Sequence, residues 1–265
     1  MRRLPRFSTL CATLLLGLIM AQTAHARVRK FSYSRESGAP TAGAAEFQFW
    51  STDRAGREQR FNQLDNRLEV EVGVSERLMT AFYLNTSANV QGEGASRSAS
   101  SGVTGVTTEW KYTLTDGPAP VGTAIFFDAT GGPEAMDSRL KFIVDGTTPS
   151  TVWAVNVTAN GGIDDLGGEN TQRLGGELNG GFAFVPTPEL SVGAEVWSFA
   201  VRNQATYEGL TVYAGPAVTW SPGAVWISAT LLGQVGTLGG PEGTFTRDLV
   251  RRESVNFRLL FGRAL

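Results

Sequence analysis

Along most of this chain, apolar and polar residues alternate one by one. Between Arg67 and Val74 the pattern has no error: Leu68, Val70, Val72 and Val74 take one parity, and Arg67, Glu69, Glu71 and Gly73 take the other. The next stretch repeats it, with Leu78, Thr80, Phe82 and Leu84 set against Met79, Ala81, Tyr83 and Asn85. Period-two alternation marks a β-strand with chemically different faces, because successive side chains leave a strand on opposite sides. The pattern recurs and predicts twelve strands, at 45–53, 66–75, 77–87, 104–115, 120–130, 138–146, 151–160, 172–185, 189–201, 207–220, 224–235 and 250–262. Helical periodicity is hard to find.

The connections carry a second regularity. Short turns such as Ser75-Glu76, Asp116-Gly117-Pro118-Ala119, Pro186-Thr187-Pro188 and Ser221-Pro222-Gly223 alternate with mostly longer polar links such as STDRAGREQRFNQLD and TSANVQGEGASRSASSG. Tight turns at one rim, longer loops at the other and strands of roughly ten residues are how transmembrane barrels are organised. The expected fold is therefore all-β: a single antiparallel transmembrane barrel of about twelve strands over residues 45–265. Its even strand number would bring both ends of the chain to the short-turn, periplasmic side.

The apolar parity tells which face meets lipid. It includes Phe47, Phe49, Trp110, Tyr112, Ile125, Phe127, Leu140, Phe142, Val155, Val157, Leu178, Phe182, Val192, Val196, Trp226, Leu232 and Phe257, and no charged residue falls on it within the strand cores. A Lys or Arg there would cost roughly 2–4 kcal/mol at the bilayer midplane. Tyr112, Trp153, Phe184, Trp220 and Trp226 lie beside the short turns, as a belt at one membrane interface would. The other parity holds the charges, and the pore-lining set expected from it is Glu46, Arg67, Glu69, Glu71, Glu109, Lys111, Arg139, Lys141, Arg173, Glu177, Glu195 and Arg258. Several of these cations are expected to pair across the lumen with the glutamates. Two features fit less well: Pro216 interrupts a strand and predicts a bulge, and 224–235 is apolar on both faces.

Residues 1–26 read as a secretory leader: a basic head, MRRLPR, then the apolar run FSTLCATLLLGLIM, then a small-x-small site at Ala24-His25-Ala26. Its removal would take away Cys11 and His25, the chain's one Cys and one His, and also Arg2, Arg3 and Arg6, moving the formal charge from −2 to −5. A mildly acidic chain argues against a nucleic-acid partner. Residues 27–44 would then be a periplasmic tail or would fold into the lumen.

These residues resemble a Gram-negative outer-membrane β-barrel of the porin-like kind. The end of the chain, VNFRLLFGRAL, keeps Val255, Phe257, Leu259 and Phe261 in parity, although such barrels usually close on an aromatic residue and this one closes on Leu265. The run Phe31-Ser-Tyr33-Ser-Arg35-Glu36-Ser-Gly-Ala-Pro40, with the Arg67–Gly73 strand and Tyr83-Leu-Asn85, is similar to an uncharacterised family of predicted outer-membrane proteins. The resemblance implies outer-membrane localisation, with bilayer lipid and small polar solutes as partners. It leaves open a narrow pore or a non-conducting structural or adhesin-like barrel.

Catalysis is disfavoured from composition. The barrel enzymes that this fold hosts generally depend on a histidine, and the mature chain would have none. Glu69 and Glu71 share a face and could form a glycosidase-type pair, but a solvated lumen face explains them better. Asp164, Asp165 and Glu169 could hold a divalent cation, yet ordinary loop polarity accounts for them. The glycines of GGENTQRLGGELNGG are expected to relieve crowding inside a curved barrel. No cofactor or metal is called for.

Overall fold

The computed structural model describes residues 28–93, 96–115, 120–166, 168–204, 206–239 and 244–265. The expected leader at 1–26 lies outside these residues, as does the expected turn at 116–119. Twelve strands form one closed antiparallel barrel: β1 (Ala45–Ala55), β2 (Phe61–Gly73), β3 (Leu78–Gln91), β4 (Ser98–Thr113), β5 (Val121–Gly131), β6 (Ala135–Thr147), β7 (Thr151–Asp164), β8 (Thr171–Thr187), β9 (Leu190–Asn203), β10 (Thr206–Trp220), β11 (Val225–Leu238) and β12 (Val255–Ala264). Each strand pairs with its chain neighbours, and β1 closes the ring on β12 through a continuous register from Glu46↔Ala264 to Ala55↔Val255. Closure leaves no strand edge, which is what a sheet in hydrocarbon requires, since lipid offers no partner for a free N–H or C=O.

The outer surface is apolar. Phe82, Leu178, Val157, Phe142, Val106 and Phe184 point outward and are exposed, while neighbours on the other parity such as Tyr83, Asn179, Asn156, Ile143, Thr107 and Ala183 are buried. Tyr112, Phe184 and Trp220 stand outward beside the short turns. On this face Phe82→Arg is expected to cost roughly 2–4 kcal/mol of folding free energy, measured by urea unfolding in phospholipid vesicles; a cost near zero would mean that Phe82 does not face lipid.

The strands run further at the loop end than the alternation predicts. β2 begins at Phe61, β3 continues to Gln91 and β4 starts at Ser98. These extensions are mostly polar, and their few large apolar residues, Phe61, Leu64, Val90 and Val103, are too scattered to mark a face. The backbone ladder persists above the level where lipid selects apolar side chains, so no alternation marks them. Most of the expected length difference between the two rims disappears as a result, and 239–254 remains the long connection. Its last residues, expected as strand, instead fold into the mouth, where Tyr213 Oη donates to the Glu253 carbonyl (2.8 Å), Arg57 pairs with Glu253 and Arg252 pairs with Glu208.

Strand β11 corrects two facing assignments. Trp226 and Leu232 point inward and are fully buried, whereas Ile227, Leu231 and Val235 take the outer parity. Trp226 lies over Gly262, its cross-strand partner on β12, in space that any Cβ would occupy, and its Nε1 donates to Glu46 (3.0 Å). Leu232 packs with Tyr33 and Tyr213. The inner face of β11 is covered by protein rather than water, so it tolerates apolar residues. Pro216 does not flip its strand: the register shift in β10 lies at Val212/Tyr213 on the β11 side, and Val218 and Trp220 stay exposed.

Candidate functional site: the lumen and its N-terminal segment

Residues 28–40 lie inside the ring, and exposed residues 41–43 lead from them to β1 at the rim. The segment leaves β1 at the short-turn end, where Gly43 N donates to Gly73 O (2.8 Å) and Gly73 N to Ala44 O (2.9 Å). Gly73 has no Cβ because the Pro40 and Thr41 carbonyls pass directly over it. The segment then rises to a loop closed on itself, with Lys30 N donating to Glu36 Oε1 (2.8 Å). Between these two residues, Phe31 to Arg35 are buried against many strands at once.

The polar attachment is dense. Glu195 of β9 accepts the backbone N–H groups of Ser32 (3.0 Å), Tyr33 (2.9 Å) and Ser34 (2.7 Å), together with the hydroxyl of Thr230 (2.7 Å). Successive amides and a hydroxyl converging on one buried carboxylate supply the hydrogen bonds that its oxygens would otherwise lack. Asn156 of β7 bonds the Arg35 backbone twice, accepting from its N–H (2.6 Å) and donating to its carbonyl (2.8 Å). The Arg35 guanidinium meets Glu109 of β4 in a two-pronged pair at 2.6 and 2.7 Å, with both partners buried. Asn179 donates to the Tyr33 carbonyl (3.0 Å) and Ser37 N to Asp145 (3.0 Å). Apolar contacts add to these: Phe31 packs on Val152, Ala154 and Ala183, and Tyr33 stacks on Trp197 at 5.4 Å.

Gly181 carries the Phe31 ring, whose nearest atom would lie 2.6 Å from an added Cβ. Among the glycines of 168–181, this is the one whose crowding comes from the segment. Gly181→Leu is expected to expel Phe31 and loosen the segment, seen as faster proteolysis between residues 28 and 40 with the barrel intact; protection equal to the unsubstituted chain would contradict the packing.

Depth sorts the charges. Near the short-turn end β1 and β2 bring Glu46 beside Glu71 and Gln48 beside Glu69; one step further Trp50 stands beside Arg67. Glu46, Glu69, Glu71, Glu109, Lys111 and Glu195 are all buried at the level of the segment. Above its tip lies a cavity of about 930 Å³ that reaches the loop residues Arg57 and Arg251, and Arg67, Arg139, Lys141, Arg173, Glu177 and Arg258 line it. The expected pore-lining residues thus fall into a covered acidic layer and an open, mostly basic one. The expected pairing across the lumen is not the one observed. Arg139 binds Asp128 (2.6 Å) on the adjacent strand, Arg173 binds Asp137 and Asp164, and Glu109 and Glu195 are taken by the segment. Cations pair along the wall, and the segment takes the glutamates at the centre.

Carboxylate oxygens of Glu69, Glu71 and Glu109 lie within 4.8 Å of one another, but Arg35 occupies both oxygens of Glu109. Asp164 is committed to Arg173, and Asp165 accepts the Glu169 N–H (2.9 Å), so the loop acids do not converge as cation ligands. Two groups central to the lumen escaped the sequence reading: Trp50 and Trp197, aromatics on the polar parity of their strands. That displacement is the available signal, since a large ring on a lumen face needs something to pack on.

A model of a family of unknown function, DUF6662, matches residues 23–131. Among solved structures, the COG4313 outer membrane channel from Pseudomonas putida F1 superposes with a TM-score of 0.67 at 13% identity, covering 89% of this chain and 100% of that one. The fold is that of an outer-membrane β-barrel. The NanC porin (TM-score 0.55, 9% identity, 83% of this chain and 100% of that one) and the β domain of the Bordetella autotransporter BrkA (0.53, 11%, 84% and 100%) share it. No curated protein matches the sequence. Channels and an autotransporter domain share this architecture, so function has to be read from the lumen.

Proposed function

We propose that this chain is an outer-membrane pore for small polar solutes, narrow because its own N-terminal segment occupies the half of the lumen next to the short turns. The observation that carries the reading is the 930 Å³ cavity at the loop end, enclosed by the barrel and lined largely by charged and polar side chains. A barrel that served only as a membrane anchor would have no need to keep so many ionic groups around open space, because each must be hydrated or paired. By the usual orientation of such barrels, the short turns face the periplasm and the cavity opens outward. Twelve strands lie between the filled eight-stranded barrels and the open channels of sixteen or more, which leaves room for both a segment and a passage. An enzymatic role has no support here: Glu69 and Glu71 are 0% and 5% exposed beneath the segment, where a glycoside cannot reach them.

The dense attachment of the segment favours a second reading, a non-conducting structural barrel that presents its loops. Liposome swelling separates the two. Vesicles containing the folded protein are expected to swell in isotonic glycine or arabinose and to stay intact in larger oligosaccharides. Folded, inserted protein that admits neither small solute would leave the structural barrel.

A further inference from the structure

We propose that the outward cavity holds a binding site for small polyvalent oxyanions bearing carboxylate or phosphate groups, centred on Trp50 and built from Arg67 and Arg258. The proposal deepens the pore reading by naming the class of solute, and rests on it for its biological sense. Among the described residues that line the cavity, eleven are Arg or Lys and four are Asp or Glu.

The excess is concentrated at one place. The guanidinium carbons of Arg29, Arg35, Arg67 and Arg258 lie 4.3, 5.5, 4.7 and 5.9 Å from the centroid of the Trp50 ring. Of these four, Arg35 is paired with Glu109, and the other three have no carboxylate within ion-pair distance among the described residues. Arg67 donates to Asn85 (3.3 Å), while Arg258 donates to Thr52 (2.9 Å) and to the Ser32 carbonyl (3.2 Å). These are neutral acceptors that orient the forks without discharging them. Arg67 also lies 4.3 Å over Tyr83, and Arg258 lies 3.8 Å over Tyr33.

Aromatic faces thus hold the cations in place before any ligand arrives, which lowers the ordering cost of binding. The acidic layer beneath offsets part of their charge but forms no ion pair with Arg67 or Arg258.

Independent of the charge count, buried polar atoms of residues in the cavity wall lack hydrogen-bond partners. Asn256, fully buried and two residues along β12 from Arg258, has neither amide atom hydrogen-bonded, and Nη1 of the buried Arg29 has no partner. Buried polar atoms are normally satisfied, and a planar anion presenting several oxygens is the partner that two guanidinium forks and an amide fit. The unpaired guanidinium forks beside Trp50 would draw such anions inward.

The test is isothermal titration calorimetry on the full chain, folded in a zwitterionic detergent at low ionic strength, with citrate and pyrophosphate as probes. Saturable binding of one or both is expected, weakening as salt is raised. Binding of citrate alone assigns the site to carboxylates, binding of pyrophosphate alone to phosphates. Arg67→Gln/Arg258→Gln is expected to bind at least about tenfold more weakly, whereas Arg97→Gln, on an exposed outer loop, leaves affinity unchanged. If the double variant does not show the heat-modifiable gel migration of a folded barrel, Lys141→Gln on β6 replaces it, with a smaller loss expected. Absence of binding by either probe, or equal affinity in the folded variant, overturns the proposal. Because the readout needs no conduction, a protein that binds citrate but forms no pore would sink the pore reading and leave the anion site standing.

Discussion

Deleting residues 28–40 is expected to raise single-channel conductance in planar bilayers several-fold. The segment fills the lumen from the short-turn rim to the level of Arg35, with Phe31, Tyr33 and Arg35 buried among β3, β4, β7, β8 and β9. Its hydrogen bonds go to side chains of the wall, with the ladder bonds left to the strands themselves. The barrel's backbone ring is complete from β1 to β12 without it. Deletion should therefore leave a folded barrel with a wider passage, and water would solvate Glu109 and Glu195 in place of their present partners. Current steps of unchanged size in the deleted protein would show that the segment is not what limits the passage.

The second large effect is expected from Arg35→Ala. This substitution leaves Glu109 buried beside Glu69 and Glu71 without its guanidinium, and removing one member of a buried ion pair costs about 3–5 kcal/mol. Urea unfolding in vesicles should register a loss of that size. Adding Glu109→Gln should recover much of it, because the stranded carboxylate is then gone. If Arg35→Ala alone changes stability by less than about 1 kcal/mol, water already screens the pair and the lower lumen is not sealed by the segment.

How much of this was legible beforehand follows from which solvent each residue meets. The strands with lipid on one side and polar groups on the other, such as β2 and β8, are plain in the alternation, because hydrocarbon excludes charge at every second position. The failures occur where one of those conditions lapses. Phe61–Asp65 and Ala88–Gln91 rise beyond lipid and are mostly polar, so little in their sequence announces a strand. Trp226 and Leu232 meet protein on the inner side, so their hydrophobicity pointed the wrong way. The chosen lumen residues are inward or buried in the structure, but their partners were not readable: alternation gives the face of Glu195 and Glu109, and says nothing of a distant segment bringing three backbone amides to one and Arg35 to the other. The polar density of Ser32 to Ser37 hints at such a role, since a free tail gains nothing from so many hydrogen-bonding groups beside two aromatics.

The sidedness of the wall underlies each of these expectations, and spin labels measure it directly. Single cysteines placed at Phe82 and Leu178 on the outside, and at Asn160 and Asn85 on the inside, can be labelled in the protein folded into bilayers. Power saturation then compares collisions with oxygen, which concentrates in hydrocarbon, and with a nickel chelate, which stays in water. That sidedness predicts that labels at 82 and 178 respond to oxygen and not to nickel, and that labels at 160 and 85 respond to nickel. Nickel access at 82 and 178 would contradict it.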